Sequence, residues 1–276
     1  MKDLQIIQKN ELIILKEIKR ICEKHDLTYY LSSGTLLGAV RHNGFIPWDD
    51  DIDIEMPLPD YRKFIEFCKT ELNPRFFLQN YKTDTNDHFA FTKIRMNNTA
   101  FIPGHHIKHH IHHGFWVDIF PVVRAPKSKL LKKAAKTTVM ISNYIQIGDF
   151  IRANYDEFYA KLGKFGIKTV LLFNKLPVSF KVKFHSFLLK PVMRKPKHDR
   201  PLACLWVSLE FLPQNIYDEL IDHKFEDENF KIPKRYDDYL THLYGDYMKL
   251  PPENERQGHG HCFIISENKD YSEFLQ

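Results

Sequence analysis

The sequence predicts an α/β (α+β) fold in which a small mixed sheet is flanked by helices. Over residues 28–120, short apolar or aromatic segments alternate with helical patterns, as expected for such a sheet. The chain has 276 residues, of which 43% are hydrophobic, and is long enough to bury a substantial core. The helical patterns cover 33–41 and 58–72, and the strand candidates are TYYL (28–31), the acidic segment 51–56, RFFLQN (75–80), FTKIRM (91–96) and GFWVDIFPV (114–122).

The first element is predicted to be an amphipathic helix at the N-terminus. Its isoleucines recur at helical spacing and form one apolar face: Ile7, Ile14, Ile18 and Ile21. The segment lacks the layout of a secretory signal, and no apolar run reaches the roughly 20 residues that cross a bilayer. We therefore expect a cytoplasmic protein. The four cysteines form no CxxC pair, which favours reduced structural thiols.

The acidic strand carries the most informative residues of the chain. It lies within PWDDDIDIEMP (47–57), where side chains alternate between the two faces of a strand. Asp51 and Asp53 therefore share one face, and the isoleucines between and after them face the core. Two partly buried carboxylates repel each other unless a cation lies between them, and hard oxygen ligands favour Mg²⁺ or Mn²⁺. A solvated turn, or a cap on the next helix, is the structural alternative.

The residues around this strand favour the cation. Ser33, Gly34 and Thr35 lie where a helix is predicted to begin, a position suited to phosphate oxygens. A strand, a small-residue loop, a helix and an Asp-x-Asp strand follow one another in the order typical of nucleotidyltransferase-fold enzymes. Asp118, between Val117 and Ile119, is the candidate for a third carboxylate on a neighbouring strand.

Three sequence blocks, taken together, resemble the LicD family, which includes the relatives of fukutin and fukutin-related protein. The blocks are SSGTLLGAVRHNGFIPWDDDIDIEMP (32–57), GFWVDIFP (114–121) and YLTHLYGDYMKLPP (239–252). The resemblance implies a nucleotidyltransferase fold used for phosphotransfer. A phospho-alcohol, often phosphocholine from CDP-choline, passes to a hydroxyl of a glycan precursor of the teichoic acid or lipopolysaccharide type, and CMP is released.

The resemblance also implies roles for individual residues. Asp51, Asp53 and Asp118 would hold Mg²⁺ or Mn²⁺ and carry the chemistry, with Asp118 taking the proton of the acceptor hydroxyl. The turn at Ser33, Gly34 and Thr35 would hold the diphosphate. Three basic residues are candidates for contact with the nucleotide or the diphosphate, with a structural role as the alternative: Arg41, Lys93 and Arg95.

The positive charge of the chain is concentrated in one region. Residues 127–200 hold 17 Lys or Arg against 4 acidic residues, although the net charge of the chain is only +5. The sequence predicts a catalytic core over 1–126 and a basic helical region over 127–200. A C-terminal segment, 201–276, is predicted to mix short helices with proline-marked turns, to pack on the core and to complete the cleft. The basic, partly apolar stretch 161–200 fits either peripheral contact with the inner membrane surface or a solvated helical subdomain, and no nucleic-acid motif is present.

A histidine run precedes the Asp118 strand. It places six histidines in nine residues, from His105 to His113, in a spacing that fits no established closed metal site. The alternatives are a zinc or nickel site and a polar loop that gains charge as pH falls.

The sequence thus predicts a magnesium-dependent phosphotransferase that acts on a CDP-alcohol donor and on a glycan or lipid-linked oligosaccharide acceptor. Two alternatives stay open at this point. One is a true nucleotidyltransferase that uses a nucleoside triphosphate and releases pyrophosphate. The other is a non-catalytic basic protein that binds a membrane or nucleic acid.

Overall fold

The computed structural model describes residues 2–87, 89, 91–103, 110–124, 202–205, 209–212, 215–256, 258 and 263–275, with isolated positions between 128 and 187. Its helices are α1 (Lys2–Lys24), α2 (Ser33–His42), α3 (Leu58–Glu71) and α4 (Tyr236–Tyr244), with short 3₁₀ turns at Glu253–Glu255 and Tyr271–Glu273. Its strands are β1 (Tyr30–Leu31), β2 (Asp53–Pro57), β3 (Phe76–Gln79), β4 (Thr92–Met96), β5 (Ala100–Pro103), β6 (Trp116–Arg124), β7 (Leu202–Leu205), β8 (Leu209–Phe211), β9 (Leu220–Phe225), β10 (Glu228–Pro233) and β11 (Phe263–Ser266).

A mixed seven-stranded sheet forms the centre of the described structure. Five strands run in the order β1-β2-β6-β4-β3, and β7 and β8 extend the sheet from β6. The pair β2–β6 is parallel, whereas β1–β2, β4–β6 and β3–β4 are antiparallel. This arrangement confirms the predicted small mixed sheet flanked by helices.

Helix α1 packs its apolar face into the core, as its periodicity predicted. Ile14, Ile18 and Ile21 are completely buried, and they belong to the same apolar cluster as Ile54 of β2 and Ile119 of β6. Burying each such side chain stabilises the fold by about 1.5–3 kcal/mol. The helix is therefore an integral part of the core.

Several predicted boundaries shift by one or two residues, including the start of the acidic strand. Strand β2 begins at Asp53 and not at residue 51, although the Asp118 N–H already donates to the Ile52 carbonyl at 2.9 Å. Asp51 therefore lies at the end of the preceding loop. Cys22 and Cys68 are buried free thiols, in agreement with the prediction of structural cysteines.

The C-terminal segment contains more strand than its sequence suggested. We expected short helices and proline-marked turns after residue 201. Instead, β9 and β10 form an antiparallel hairpin, and β11 pairs with β5. The charged residues of β9 and β10 lie at exposed or half-buried positions of a two-stranded ribbon, so the apolar alternation that signals a strand is weak there.

Most of the basic region 127–200 lies outside the described residues, so its helices and the three-part division of the chain stay predictions. Among the described residues, no helix combines the length and the apolar character that crossing a membrane requires.

Candidate active site

Two aspartates lie side by side at the centre of the sheet. Asp53 of β2 and Asp118 of β6 are direct partners in the register of the parallel pair. Their residues are only 7% and 9% exposed. Because neighbouring strands are separated by about 4.8 Å, two carboxylates in this register share one small region of space.

The loop before β2 brings further acidic residues to the same place. Asp50 is buried and Asp51 is half-buried, and Asp49 approaches the start of α2. Burial, followed by repulsion from Asp51, Asp118 and Asp49, raises the pKa of Asp53 well above its ordinary value of 3.8, and Lys93 opposes this shift. The site therefore carries an excess of negative charge in a region of low solvent access.

Lys93 lies against these carboxylates from β4. Its residue pairs with Asp118 in the antiparallel register, and its ammonium forms a short ion pair with the Asp118 carboxylate. The same ammonium lies 4.9–5.1 Å from the ring centroids of Phe89, Phe91 and Trp116. Lys93 thus contributes the positive charge closest to Asp118 among the described contacts.

The donor set fits a hard divalent cation. Carboxylate oxygens are the ligands that Mg²⁺ and Mn²⁺ prefer. Burial first, and repulsion from neighbouring carboxylates second, raise the pKa of Asp53, and a bound cation would oppose both effects. In the described part of the chain, no three acidic, histidine or cysteine side chains already converge on one point at ligand distance. Cation binding would therefore require Asp51, Asp53 and Asp118 to rotate toward a common centre.

The predicted phosphate-binding turn lies at the N-terminus of α2. Ser33 adopts the left-handed region with φ of 47°, and its N–H donates to the Tyr239 hydroxyl at 3.1 Å. A Cβ added to Gly34 would lie 2.8 Å from Asp49 Oδ2, so a carboxylate already approaches this end of the helix. The helix dipole and free N–H groups attract anions at such a position.

Two hydroxyls of this turn differ in their contacts. Thr35 Oγ1 accepts a 2.8 Å hydrogen bond from the Asp53 N–H, so Thr35 joins α2 directly to the first residue of β2. Ser32, in contrast, is fully buried, and its hydroxyl has no hydrogen-bond partner among the described residues. An unpaired buried hydroxyl beside a helix N-terminus is a suitable donor for a phosphate oxygen.

The structure separates the three basic candidates. Lys93 contacts the acidic site, as described above. Arg95 is 2% exposed, and its guanidinium donates to Gln79 Oε1 at 2.6 Å and to the Gly114 carbonyl at 2.8 Å. These bonds join Arg95 to β3 and to the segment before β6, and its contact with the diphosphate stays a prediction. Arg41 is half-buried and donates to the Tyr247 carbonyl at 2.9 Å.

Three aromatic residues of the sequence blocks, Phe45, Trp116 and Tyr244, are candidates for contact with a choline group, and Tyr244 is the most accessible of them. Phe45 is buried in the core, and the face of Trp116 is covered by Lys93 and Arg95. Tyr244 is 44% exposed. Partial burial, then the charges of Asp53, Asp49 and Asp51, raise the pKa of its phenol, which places the ring in the field of the acidic site.

The described end of the histidine run is structural. His112 Nε2 donates a 3.0 Å hydrogen bond to Asn97 Oδ1, and its Nδ1 accepts from the Gly114 N–H at 3.1 Å. Burial, reinforced by Arg95, lowers the pKa of His112 to about 3. The expectation of a loop that gains charge as pH falls is therefore wrong for His112. Residues 104–109 lie outside the described part of the chain.

Sequence reasoning did not select Asp49 or Tyr239 as site residues. Asp49 stood next to the chosen aspartates, but its approach to Gly34 depends on the path of the loop. Tyr239 lies 206 residues after Ser33 in the sequence. It belongs to the third motif block, but no local chemical pattern indicates its partner.

These features define a class of protein. Paired buried aspartates on adjacent parallel strands of a small mixed sheet, beside the N-terminus of a helix, are the arrangement expected of the nucleotidyltransferase fold. The family model described as "LicD/FKTN/FKRP, nucleotidyltransferase domain" matches residues 26–139. This match confirms the resemblance to the LicD family that the motifs predicted for this part of the chain.

Individual relatives are similar over spans of very different length. The lipopolysaccharide cholinephosphotransferase LicD of Haemophilus influenzae is 27% identical over 268 residues, which cover 90% of this chain and 92% of that protein. The ribitol 5-phosphate transferase FKRP of Homo sapiens is 45% identical over 40 residues, or 14% of this chain and 8% of that protein. An uncharacterised protein of Rickettsia prowazekii is 51% identical over 41 residues, which are 15% of each chain.

Proposed function

We propose that this protein is a phosphotransferase that moves phosphocholine, or a similar phospho-alcohol, from a CDP-linked donor to a hydroxyl of a cell-surface glycan precursor. The observation that carries the proposal is the register of Asp53 and Asp118 on adjacent strands next to the N-terminus of α2. The similarity to a lipopolysaccharide cholinephosphotransferase over 90% of the chain supports the choice of phosphocholine and of a glycan acceptor.

The donor diphosphate binds at the start of α2. The backbone N–H groups of Gly34 and Thr35 and the unpaired hydroxyl of Ser32 face this end of the helix, where an anion is favoured. Asp49, which approaches Gly34, must move away when the diphosphate enters because the two anions repel each other. Arg41 in the last turn of α2 remains a candidate for a further phosphate contact.

Asp51, Asp53 and Asp118 hold Mg²⁺ or Mn²⁺ in this proposal. When bound, the cation supplies Lewis-acid stabilisation of the negative charge that develops on the departing phosphate oxygens. The residues themselves orient the reacting groups and exclude water. Lys93 balances the charge of Asp118 when the site is assembled.

The chemical step exchanges one phosphorus–oxygen bond for another. The acceptor hydroxyl oxygen bonds to the phosphorus that carries the choline, and the bond from that phosphorus to the bridging oxygen of CMP breaks. Asp118 takes the hydroxyl proton, and CMP departs with the bridging oxygen and its electron pair. No oxidant or further co-reactant is needed.

The donor experiment distinguishes this reaction from nucleotidyl transfer. The purified chain is incubated with Mg²⁺, an acceptor glycan and either CDP-choline or CTP, and the nucleotide products are separated by chromatography. Release of CMP from CDP-choline supports the proposal. Release of pyrophosphate from CTP indicates a nucleotidyltransferase, and no turnover with either nucleotide or with CDP-ribitol, CDP-glycerol and CDP-ethanolamine contradicts catalysis.

Tyr244 provides a test of the choline group. Its exposed ring lies in the negative field of the acidic site, and a quaternary ammonium over an aromatic face gains about 0.5–2 kcal/mol. We expect Tyr244→Ala to raise KM for CDP-choline by about 3- to 30-fold, whereas Tyr244→Phe retains the wild-type value. Met248, which is 57% exposed nearby in sequence, provides a control, and Met248→Ala should leave KM unchanged. Equal KM values for Tyr244→Ala and wild type would contradict the assignment.

The proposed acceptor places the enzyme at the cytoplasmic side of the membrane. CDP-linked donors are cytoplasmic, and precursors of teichoic acid or lipopolysaccharide are lipid-linked at the inner leaflet. The basic stretch 161–200 is suited to an anionic surface. Sedimentation of the protein with vesicles that contain anionic lipid, but not with neutral vesicles, is the expected result.

A further inference from the structure

Glu11 is a buried carboxylate in the apolar face of α1. It lies one helical turn from both Ile7 and Ile14, which are buried in the core. The residue is 0% exposed, and neither carboxylate oxygen has a hydrogen-bond partner among the described residues. Buried carboxylates are almost always paired or hydrogen-bonded, so packing alone does not account for this residue.

The surroundings of Glu11 are acidic. Burial, followed by Coulombic repulsion from nearby carboxylates, raises its pKa well above the ordinary value; in decreasing order of effect these carboxylates belong to Asp51, Asp50, Asp49 and Asp118. The helix also contacts the acidic loop directly, because the Gln8 side chain donates to the Asp49 carbonyl at 2.9 Å. Gln8 and Glu11 are three residues apart on one side of α1, so Glu11 lies on the side of the helix that contacts the acidic loop.

A second buried glutamate on the same helix shows the usual arrangement. Glu17 is 9% exposed, and its two oxygens accept hydrogen bonds from the Arg20 guanidinium, each at 2.8 Å. One of these oxygens also accepts from the Asn73 N–H at 2.9 Å. Glu17 thus has a structural explanation, whereas the nearest charges around Glu11 repel it.

We propose that Glu11 is a positioning residue of the cation site, whose carboxylate accepts hydrogen bonds from water molecules on the divalent ion held by Asp51, Asp53 and Asp118. This inference rests on the proposed function. Mg²⁺ usually keeps several waters, and carboxylates outside the direct ligand set orient such waters and tune metal affinity. In this arrangement, α1 takes part in the site in addition to supporting the core.

The experiment measures Mn²⁺ affinity by calorimetry in the full-length chain. Wild type is compared with Glu11→Gln and with Glu17→Gln as the matched control. We expect E11Q to weaken Mn²⁺ binding by about 10-fold or more, and to unfold in EDTA at the same temperature as wild type or at a higher one because it removes a repelled carboxylate. We expect E17Q to unfold at a lower temperature and to bind Mn²⁺ with wild-type affinity.

The outcomes separate this inference from the proposal on which it rests. If wild type and E11Q bind Mn²⁺ equally tightly, Glu11 does not contact the cation site and only the present inference fails. If wild type binds no Mn²⁺, the cation assignment fails together with it. Should E11Q not fold, Glu11→Leu, which keeps a similar volume without polar atoms, provides the same measurement.

Discussion

Asp53 is the residue at which burial and charge conflict most directly. It lies on a central strand, it is 7% exposed, and three other carboxylates raise its pKa after burial itself has done so. A folded-state pKa above the ordinary value means that folding favours the protonated form. In the absence of a cation, the stability that Asp53 contributes is therefore fully present below pH 3.8. It is lost as pH rises through the raised pKa.

Replacing Asp53 by Asn should separate catalysis from stability. We expect Asp53→Asn to reduce kcat by at least about 100-fold, because it removes a cation ligand and a negative charge at the reacting phosphate. In EDTA at neutral pH, the same variant should unfold at a temperature at least about 2 °C higher. The measurements are CMP release and thermal unfolding. The control is Asp227→Asn, an exposed residue that should keep full activity.

His112 should affect the pH dependence of stability in the opposite direction to Asp53. Its pKa falls from 6.5 to about 3 in the folded state, so the stability it contributes is present above pH 6.5 and is lost as pH falls toward 3. At pH 5 we expect a loss of about 2 kcal/mol in the free energy of unfolding. His112→Gln should remove this loss, whereas His110→Gln, at an exposed position, should retain it.

Urea unfolding at several pH values provides that measurement. The measurement is best made in the Asp53→Asn background. As pH falls, protonation of Asp53 raises the free energy of unfolding over the same range in which protonation linked to His112 lowers it. A His112→Gln variant whose free energy of unfolding still falls as steeply as that of its parent would contradict the assignment.

Helix α2 links the site to the sheet. Its N-terminus contains the predicted phosphate turn, and the Thr35 hydroxyl binds the first residue of β2. Its C-terminus ends at Asn43 in the left-handed region, with φ of 57°. The two glycines of the helix have different neighbours. A side chain on Gly34 would contact the carboxylate of Asp49, which is flexible, whereas a side chain on Gly38 would contact the backbone at Gly44.

This difference predicts opposite results for two glycine variants. In Gly34→Ala the new Cβ would lie 2.8 Å from Asp49 Oδ2, which can rotate away, so the free energy of unfolding should change by less than about 1 kcal/mol. The same methyl group obstructs the diphosphate, and KM for the donor should rise about 10-fold.

Gly38→Ala is the matched control on the same helix. Its Cβ would lie 2.5 Å from the Gly44 carbonyl oxygen, and because backbone cannot move easily, we expect a loss of about 1–3 kcal/mol in the free energy of unfolding. Thermal unfolding and donor kinetics of both variants test the pair. A Gly34→Ala enzyme with wild-type KM would contradict the phosphate turn.

At the scale of the whole molecule, residues of the C-terminal segment contact the predicted phosphate turn and the acidic strand. Tyr239 of α4 accepts the Ser33 N–H, and its hydroxyl lies 3.5 Å from Glu55 Oε1 on β2. The Tyr217 hydroxyl donates to the same carboxylate. Gly258 packs against the acidic loop, since a Cβ there would lie 2.7 Å from the Trp48 carbonyl oxygen. These contacts join the N-terminal and C-terminal parts of the chain next to the proposed site.

Removing the Tyr239 hydroxyl should weaken this connection. Loss of the partner of the Ser33 N–H in Tyr239→Phe should cost about 1–2 kcal/mol in the free energy of unfolding and should also raise KM for the donor. The control is Tyr247→Phe, because the Tyr247 hydroxyl binds Asp237 at 2.7 Å in an exposed position and should contribute less than about 0.5 kcal/mol. If both variants behave like wild type, α4 does not position the phosphate turn.

The helices and strands of the N-terminal part and the candidate acidic residues could be predicted from the amino-acid sequence alone. The periodicity of α1, the small residues before α2 and the alternation around Asp53 are properties of neighbouring residues, so they are visible without a structure. The strands of the C-terminal segment were missed because the pattern of β9 and β10 is weak and because β11 requires β5 as its partner.

Contacts between residues that are distant in the sequence could be found only in the folded structure. The register that pairs Asp53 with Asp118, the burial of Arg95 in contacts with β3 and Gly114, and the approach of Tyr239 to Ser33 all join residues from separate elements. The polar position of Glu11 is visible in the sequence, but its acidic neighbours are not. Such contacts depend on the order and register of the strands, which are set by packing of the whole core rather than by any short segment.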